Sequence, residues 1–211
     1  MSIFSIEQLV DDLTPVRRLN GWHAALAVAA MTALAIAVTA WRYGLRGDVM
    51  IGAPVPMVLV RASVLALLGT ASLTAVIDSA RPRVGRHSNG WSWMLGLALT
   101  FPLLTIALSI STATMPHAEM TATSAYWCLG ISLSAALLIG TAITLWLRRG
   151  AVTVAGHTAW LVGLCAGAFG TFAYSLHCPS STVAYIGIWY TAAVGTSAVA
   201  GRLILPPLLR W

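Results

Sequence analysis

AYWCLGISLSAALLIGTAITLWLRR, residues 125–149, is an uncharged run from Ala125 to Leu147 that meets Arg148 and Arg149 at once. A helix rises about 1.5 Å per residue and the hydrocarbon core of a bilayer is about 30 Å thick, so this run is long enough to cross it. The paired arginines then mark the end that stays with the cytoplasmic charge. Working outward, comparable runs occupy Trp22 to Ala40, Met57 to Ile77, Trp91 to Ser111, Thr153 to Leu176 and Val183 to Leu203. The expected fold is therefore all-α: a polytopic six-helix membrane bundle over residues 21–211, preceded by a cytoplasmic segment of residues 1–20.

The composition excludes the ordinary soluble classes. Charged residues make up 9% of the 211 and hydrophobic residues 58%, with a mean hydropathy of +0.83, whereas a globular domain is about a quarter charged. Six spans leave only short connections, so no folded soluble domain is expected. The first span is not a cleavable signal peptide, because Glu7, Asp11 and Asp12 precede it and its apolar stretch is too long.

The positive charges orient the bundle. The chain has no lysine; Arg17, Arg18, Arg81, Arg83, Arg86, Arg148, Arg149, Arg202 and Arg210 fall on one side, and only Arg42 and Arg46 on the other. Short arginine-rich loops are retained inside, which places both termini in the cytoplasm and the connections at about 112–124 and 177–182 outside. Trp22, Trp41, Trp91, Trp127, Trp146 and Tyr174 stand near the boundaries where interfacial aromatic belts form. Arg61 lies about five residues inside the outer end of the second span and is expected to snorkel to the headgroups. Asp78 is expected to be solvated or paired with Arg81. His23 and His157 read as interfacial, and Pro102 as a kink in the third span.

Small residues at four-residue spacing, Gly163 with Gly167 and Ser197 with Gly201, would let helices approach closely. Nothing marks a polar path, and no His-Glu-x-x-His, Gly-x-Ser-x-Gly, phosphate loop or carboxylate cluster is present. An enzyme is not expected.

Topology gives each cysteine an environment. Cys128 and Cys178 fall at the outer ends of spans four and six, and Cys165 lies mid-span as a small buried side chain. With His177 adjacent to Cys178, and His117 and Glu119 in the other outer connection, the set suits a metal or an oxidant. A plain disulfide, or two unconnected thiols, fits the same spacing. No resident cofactor is implied; a transient metal ion at Cys128, Cys178 and His177 is the one candidate.

In the N-terminal segment Ile3, Ile6, Leu9, Val10 and Leu13 recur at helical spacing, Ser5 and Gln8 have capping-box spacing, and Pro15 ends the run. Glu7, Asp11 and Asp12 make the opposite face acidic, which suits a basic partner better than an anionic membrane surface; an ordinary surface helix before the first span fits the same periodicity equally well. This leader, continuing through Leu13-Thr14-Pro15-Val16-Arg17-Arg18-Leu19, resembles the start of the NrsF-like membrane anti-sigma factors, six-span proteins of proteobacteria. The resemblance continues at His177-Cys178-Pro179, Trp189, Gly201-Arg202-Leu203 and the closing Leu209-Arg210-Trp211.

The resemblance implies an inner-membrane protein whose leader, with contacts among Glu7, Leu9, Val10, Asp11, Asp12, Leu13, Pro15, Val16, Arg17 and Arg18, sequesters an extracytoplasmic-function sigma factor. It further implies that Cys128 and Cys178 sense heavy-metal or oxidative stress, and that the chain itself does not touch nucleic acid. The rival readings are a small transporter or metal exporter, and a structural subunit of a membrane complex.

Overall fold

The computed structural model describes residues 19–80, 123–150, 152, 154–180 and 182–209, with isolated positions 96, 98, 99 and 103. Outside the described residues lie the leader with Glu7, Leu9, Val10, Asp11, Asp12, Leu13, Pro15, Val16, Arg17 and Arg18, most of the span expected at 91–111 with Pro102, and His117 and Glu119. Every described element is helical. The long helices are α1 (Gly21–Tyr43), α2 (Pro56–Ser79), α3 (Thr123–Leu147), α4 (Ala155–Ser175) and α5 (Val183–Ile204); two four-residue turns of helix cover Gly47–Met50 and Pro206–Leu209.

Four of these helices, all but α4, are long and apolar enough to cross a membrane. Their ends follow from local chemistry. The Asn20 side chain accepts from the Trp22 N–H at 3.0 Å and caps α1, and Pro56 starts α2 where its missing N–H costs nothing. Gly44 ends α1 at φ 79°, a backbone state in which other residues are strained. Within the spans, hydroxyls turn back on their own helices: Thr39 donates to the Ala35 carbonyl, Ser72 to Leu68 and Thr144 to Gly140, each within 2.8 Å. These three hydroxyls thus sit in an apolar region with their donors satisfied.

Among the described residues the core forms a small cluster of Ala35, Ala135 and Ala173 and two large ones, one toward each end of the bundle. One joins Ala24, Val76, Ala80, Leu147, Ala159 and Leu209; the other joins Leu65, Ala125, Cys128, Tyr174, Cys178 and Tyr185. These memberships give the helix directions. Going down the chain, α1 and α4 run from the first end to the second, while α2, α3 and α5 run from the second to the first. Leu19 and Leu209 both pack at the first end.

The middle of the bundle is α4, packed against α5, α3, α2 and α1. Its glycines and alanines are there for fit. A Cβ at Gly163 would stand 2.8 Å from the Ala198 Cα, and one at Gly170 would stand 2.6 Å from the Ser132 carbonyl oxygen. The small residues Gly163, Gly167, Ser197 and Gly201 do meet across the α4–α5 crossing. Trp22, Trp41 and Trp127 are exposed, as a belt requires, but Trp146 and Tyr174 are buried. Both face neighbouring helices, a choice of face that an all-apolar helix does not reveal.

These approaches set opposite signs for two glycine substitutions. Gly170→Val should lower the thermal stability of the purified protein by about 1–3 kcal/mol through overpacking. Gly195→Ala, where an added Cβ meets nothing within 4 Å, should be neutral or stabilise by up to about 1 kcal/mol. Thermal unfolding in detergent checks both, and equal losses would contradict the packing.

Candidate functional site

At the second end of the bundle the sequence must bring a cation to terms with a low-dielectric interior. Arg61, one turn into α2, is 0% exposed, so the expected snorkelling to the headgroups is corrected: its guanidinium points into the protein. One Nη donates to the Ser180 carbonyl at 2.7 Å; the other donates to the carbonyls of Ser175 at 2.7 Å and Cys178 at 3.0 Å. The group also stands 5.9 Å from the centre of the Tyr190 ring.

The reason lies in α4. Its last carbonyls have no intrahelical donor, and the macrodipole leaves partial negative charge there. A buried helix end needs donors and a buried guanidinium needs acceptors, so each resolves the other's cost. Arg61 is thus the C-terminal cap of α4, extended over the turn at 176–180.

A second arginine holds the same turn from the α1–α2 connection. The Arg46 backbone N–H donates to the Leu176 carbonyl, and its guanidinium donates to the carbonyls of Pro179 at 2.9 Å and Cys178 at 3.2 Å. Arg46 Nε is fixed by Asp48 Oδ1 at 2.7 Å, while Asp48 Oδ2 accepts from the Val55 N–H. That Val55 N–H, with the Arg46 guanidinium beside it, holds the Asp48 carboxyl below the usual carboxylate range. A carboxylate lowered in this way stabilises the fold above its unfolded value of about 3.9 and loses that contribution only as pH falls through the lowered one. The clasp is therefore fully charged at neutral and mildly acidic pH.

Inside this double clasp lie the two cysteines. Cys128, on α3, is 0% exposed and Cys178 1%; they share one apolar cluster, with Arg61 within reach of Cys128. Tyr185 stands beside the Cys128 thiol and Tyr190 beside the Cys178 thiol. Both cysteines are free thiols. His177 turns away from them: its Nδ1 is 2.7 Å from the Gly44 carbonyl oxygen, and its ring packs against Tyr43 and Tyr174 at 5.5 and 5.8 Å. Among the described residues no three of His, Cys, Asp and Glu gather to hold a metal ion. Cys165 is buried in the other cluster, apart from the pair. His23, His157 and Asp78 are exposed.

The structure thus brings Cys128 and Cys178 together and leaves His177 at the rim. It adds Arg61, Arg46, Tyr185 and Tyr190, which the sequence reading did not assign to the site. An arginine inside an apolar helix was the available signal, since such a charge must find acceptors, and free carbonyls occur only where another helix ends. The arrangement can do two things chemically. It holds two buried thiols in one apolar cluster, and it ties the backbone of one of them to α2 and to the α1–α2 connection.

Comparison with known proteins gives this geometry a family. No solved structure matches the chain. An anti-sigma-F factor NrsF of Caulobacter vibrioides is 30% identical over 161 residues, covering 74% of this chain and 73% of that protein. A probable anti-sigma-F factor NrsF of Azospira oryzae is 30% identical over 198 residues, covering 90% and 86%. The profile of the family described as "NrsF: Negative regulator of sigma F" matches residues 9–211, so this chain belongs to the NrsF family of negative regulators of sigma F.

Proposed function

We propose that this chain is an inner-membrane anti-sigma factor that holds an extracytoplasmic-function sigma factor through its cytoplasmic N-terminal segment and releases it on heavy-metal or oxidative stress at Cys128 and Cys178. Family membership supports the anti-sigma role and a sigma-factor partner. The observation that carries the sensing reading is the burial of both thiols in one cluster beneath a turn fixed by Arg61 and Arg46. Any modification that enlarges or ionises either sulfur must move that turn, and with it the capped end of α4.

Six spans with both termini inside remain the topology we propose. Helix α2 ends at the first end of the bundle while α3 begins at the second, and Leu19 and Leu209 both pack at the first end, where Arg148, Arg149 and Arg202 also lie, which supports this topology. The leader residues Glu7, Leu9, Val10, Asp11, Asp12, Leu13, Pro15, Val16, Arg17 and Arg18 form the sigma-binding segment in this reading, the acidic face meeting basic sigma surface. Displacement of α4 repacks the helices at that end and so alters how the leader is presented. Thiol state and sigma binding are then reciprocally linked. A change of about 30 mV in the thiol couple corresponds to about 1.4 kcal/mol, a tenfold change in the bound fraction's equilibrium. Oxidation to a disulfide suffices for this; a metal bridging the thiols from outside would act on the same turn.

The decisive experiment purifies the tagged protein from native membranes with and without a thiol oxidant or a heavy metal, and identifies what accompanies it by mass spectrometry. A stoichiometric sigma factor lost on treatment is expected; its absence from both samples would remove the anti-sigma reading. Cys128→Ser and Cys178→Ser should keep insertion and sigma capture but not release it on treatment, and a normal response in both would take the cysteines out of the mechanism. Arg61→Met leaves buried carbonyls without donors, at about 1–3 kcal/mol each. It should raise labelling of Cys178 by an impermeant maleimide roughly tenfold or more, with Arg61→Lys in between because an ammonium has three donors. Labelling that stays at the parental rate would show that Arg61 does not shield the thiol. Reversing the charge of Asp11 and Asp12 should weaken sigma capture in a pull-down; unchanged capture would move the contact to the apolar face of the leader.

A further inference from the structure

Among the described residues a groove of about 270 Å³ runs between α1 and α3, lined by Leu34, Val38, Ile131, Ala135 and Leu138 and ending at Arg42. The groove opens because Ala35 and Ala135, backed by Ala173, are all small where the helices meet. The two hydroxyls on its walls are already used: Thr39 donates to the Ala35 carbonyl and Ser134 to the Ile131 carbonyl, both at 2.8 Å. The groove therefore offers an incoming molecule hydrocarbon along its length and polar chemistry only at one end.

That end is cationic. Arg42 is exposed, its guanidinium lies 5.4 Å over the Tyr43 ring, and no carboxylate among the described residues pairs with it. Tyr43 in turn lies 6.4 Å from Trp127, and Trp41 is 87% exposed beside it. Aromatic side chains of this kind settle at headgroup level. A ligand that fits must be long and apolar with a single anionic end, and in a bilayer that is an anionic phospholipid.

We propose that this groove binds an anionic phospholipid, one acyl chain lying between α1 and α3 and the headgroup phosphate on Arg42. Arginine donates in a fork that matches phosphate oxygens, and its charge selects an anionic headgroup over a zwitterionic one. The site also abuts the arginine-clasped turn, since Tyr43 touches His177 and Gly44 accepts from it.

The test is native mass spectrometry of the purified full chain titrated with phosphatidylglycerol or phosphatidylcholine of identical acyl chains. A basic residue contributes about 1 kcal/mol toward an anionic lipid, so phosphatidylglycerol should be retained roughly fivefold better. Arg42→Gln should reduce it to the phosphatidylcholine level, Arg42→Lys should keep most of the preference, and Ser134→Trp, a filling of the groove from an exposed position, should lower retention of both lipids. Equal retention of the two lipids, or a preference untouched by Arg42→Gln, would overturn the proposal. So would displacement of phosphatidylglycerol by inorganic phosphate alone, which would leave the groove with no part in binding. A lipid-free dimer abolished by Ser134→Trp would give the groove to a second copy and equally overturn it. The measurement uses no sigma factor, so its failure and that of the anti-sigma reading are separate results.

Discussion

The guanidinium of Arg61 beneath the end of α4 is the interaction on which the rest of this structure depends. Moving such a cation out of water costs several kcal/mol even after relaxation, and three backbone carbonyls together with the face of Tyr190 are what offset it here. Backbone acceptors of this kind are available only past a helix C-terminus. The consequence is geometric: α2 and α4 are joined by hydrogen bonds as well as by packing, and the turn leading into α5 is fixed by the same group.

Helix α4 carries that constraint across the bundle. Fifteen of its 21 residues are buried, and glycine at its crossings leaves no slack for sliding without a clash of backbones. At one end stands the thiol pair; at the other, Gly156 sits under the Arg202 guanidinium, about 3.2 Å from where a Cβ would be. A helix of this length spans roughly 30 Å at 1.5 Å per residue. It is a stiff post linking an end rich in aromatic and thiol groups to an end rich in arginine.

The helices were legible because bilayer thickness, rather than side-chain detail, fixes their length. The run from Trp22 became Gly21–Tyr43, that from Met57 became Pro56–Ser79, and that from Val183 became Val183–Ile204. What composition leaves open is which face of an all-apolar helix turns inward, and so Trp146 and Tyr174 proved buried. Arg61 was legible as a problem but not as its solution, because its partners are carbonyls, which no residue type announces. Cys128 and Cys178 lie fifty positions apart on different elements, and only the crossing of α3 with α4 and α5 brings them into one cluster. His177 shows the converse: its neighbour in sequence is Cys178, yet the turn that Arg61 holds directs its ring to Gly44 and Tyr43 instead.

A sensor placed under a backbone clasp has a property that one displayed on a loop lacks. Exposed thiols react without disturbing the fold, whereas the backbone of Cys178 carries hydrogen bonds that join α2 and the α1–α2 connection to this turn. Each bond to a charged donor contributes about 1.5–3 kcal/mol, so releasing even one is comparable with the coupling of about 1–3 kcal/mol typical between linked sites. In the proposed function the resting state is therefore the clasped one, and the chemistry that reaches the sulfurs must be strong enough to open it. Thiolate–disulfide and soft-metal chemistry meet that requirement; the small, reversible encounters of an unstressed membrane do not, and the partner would stay bound.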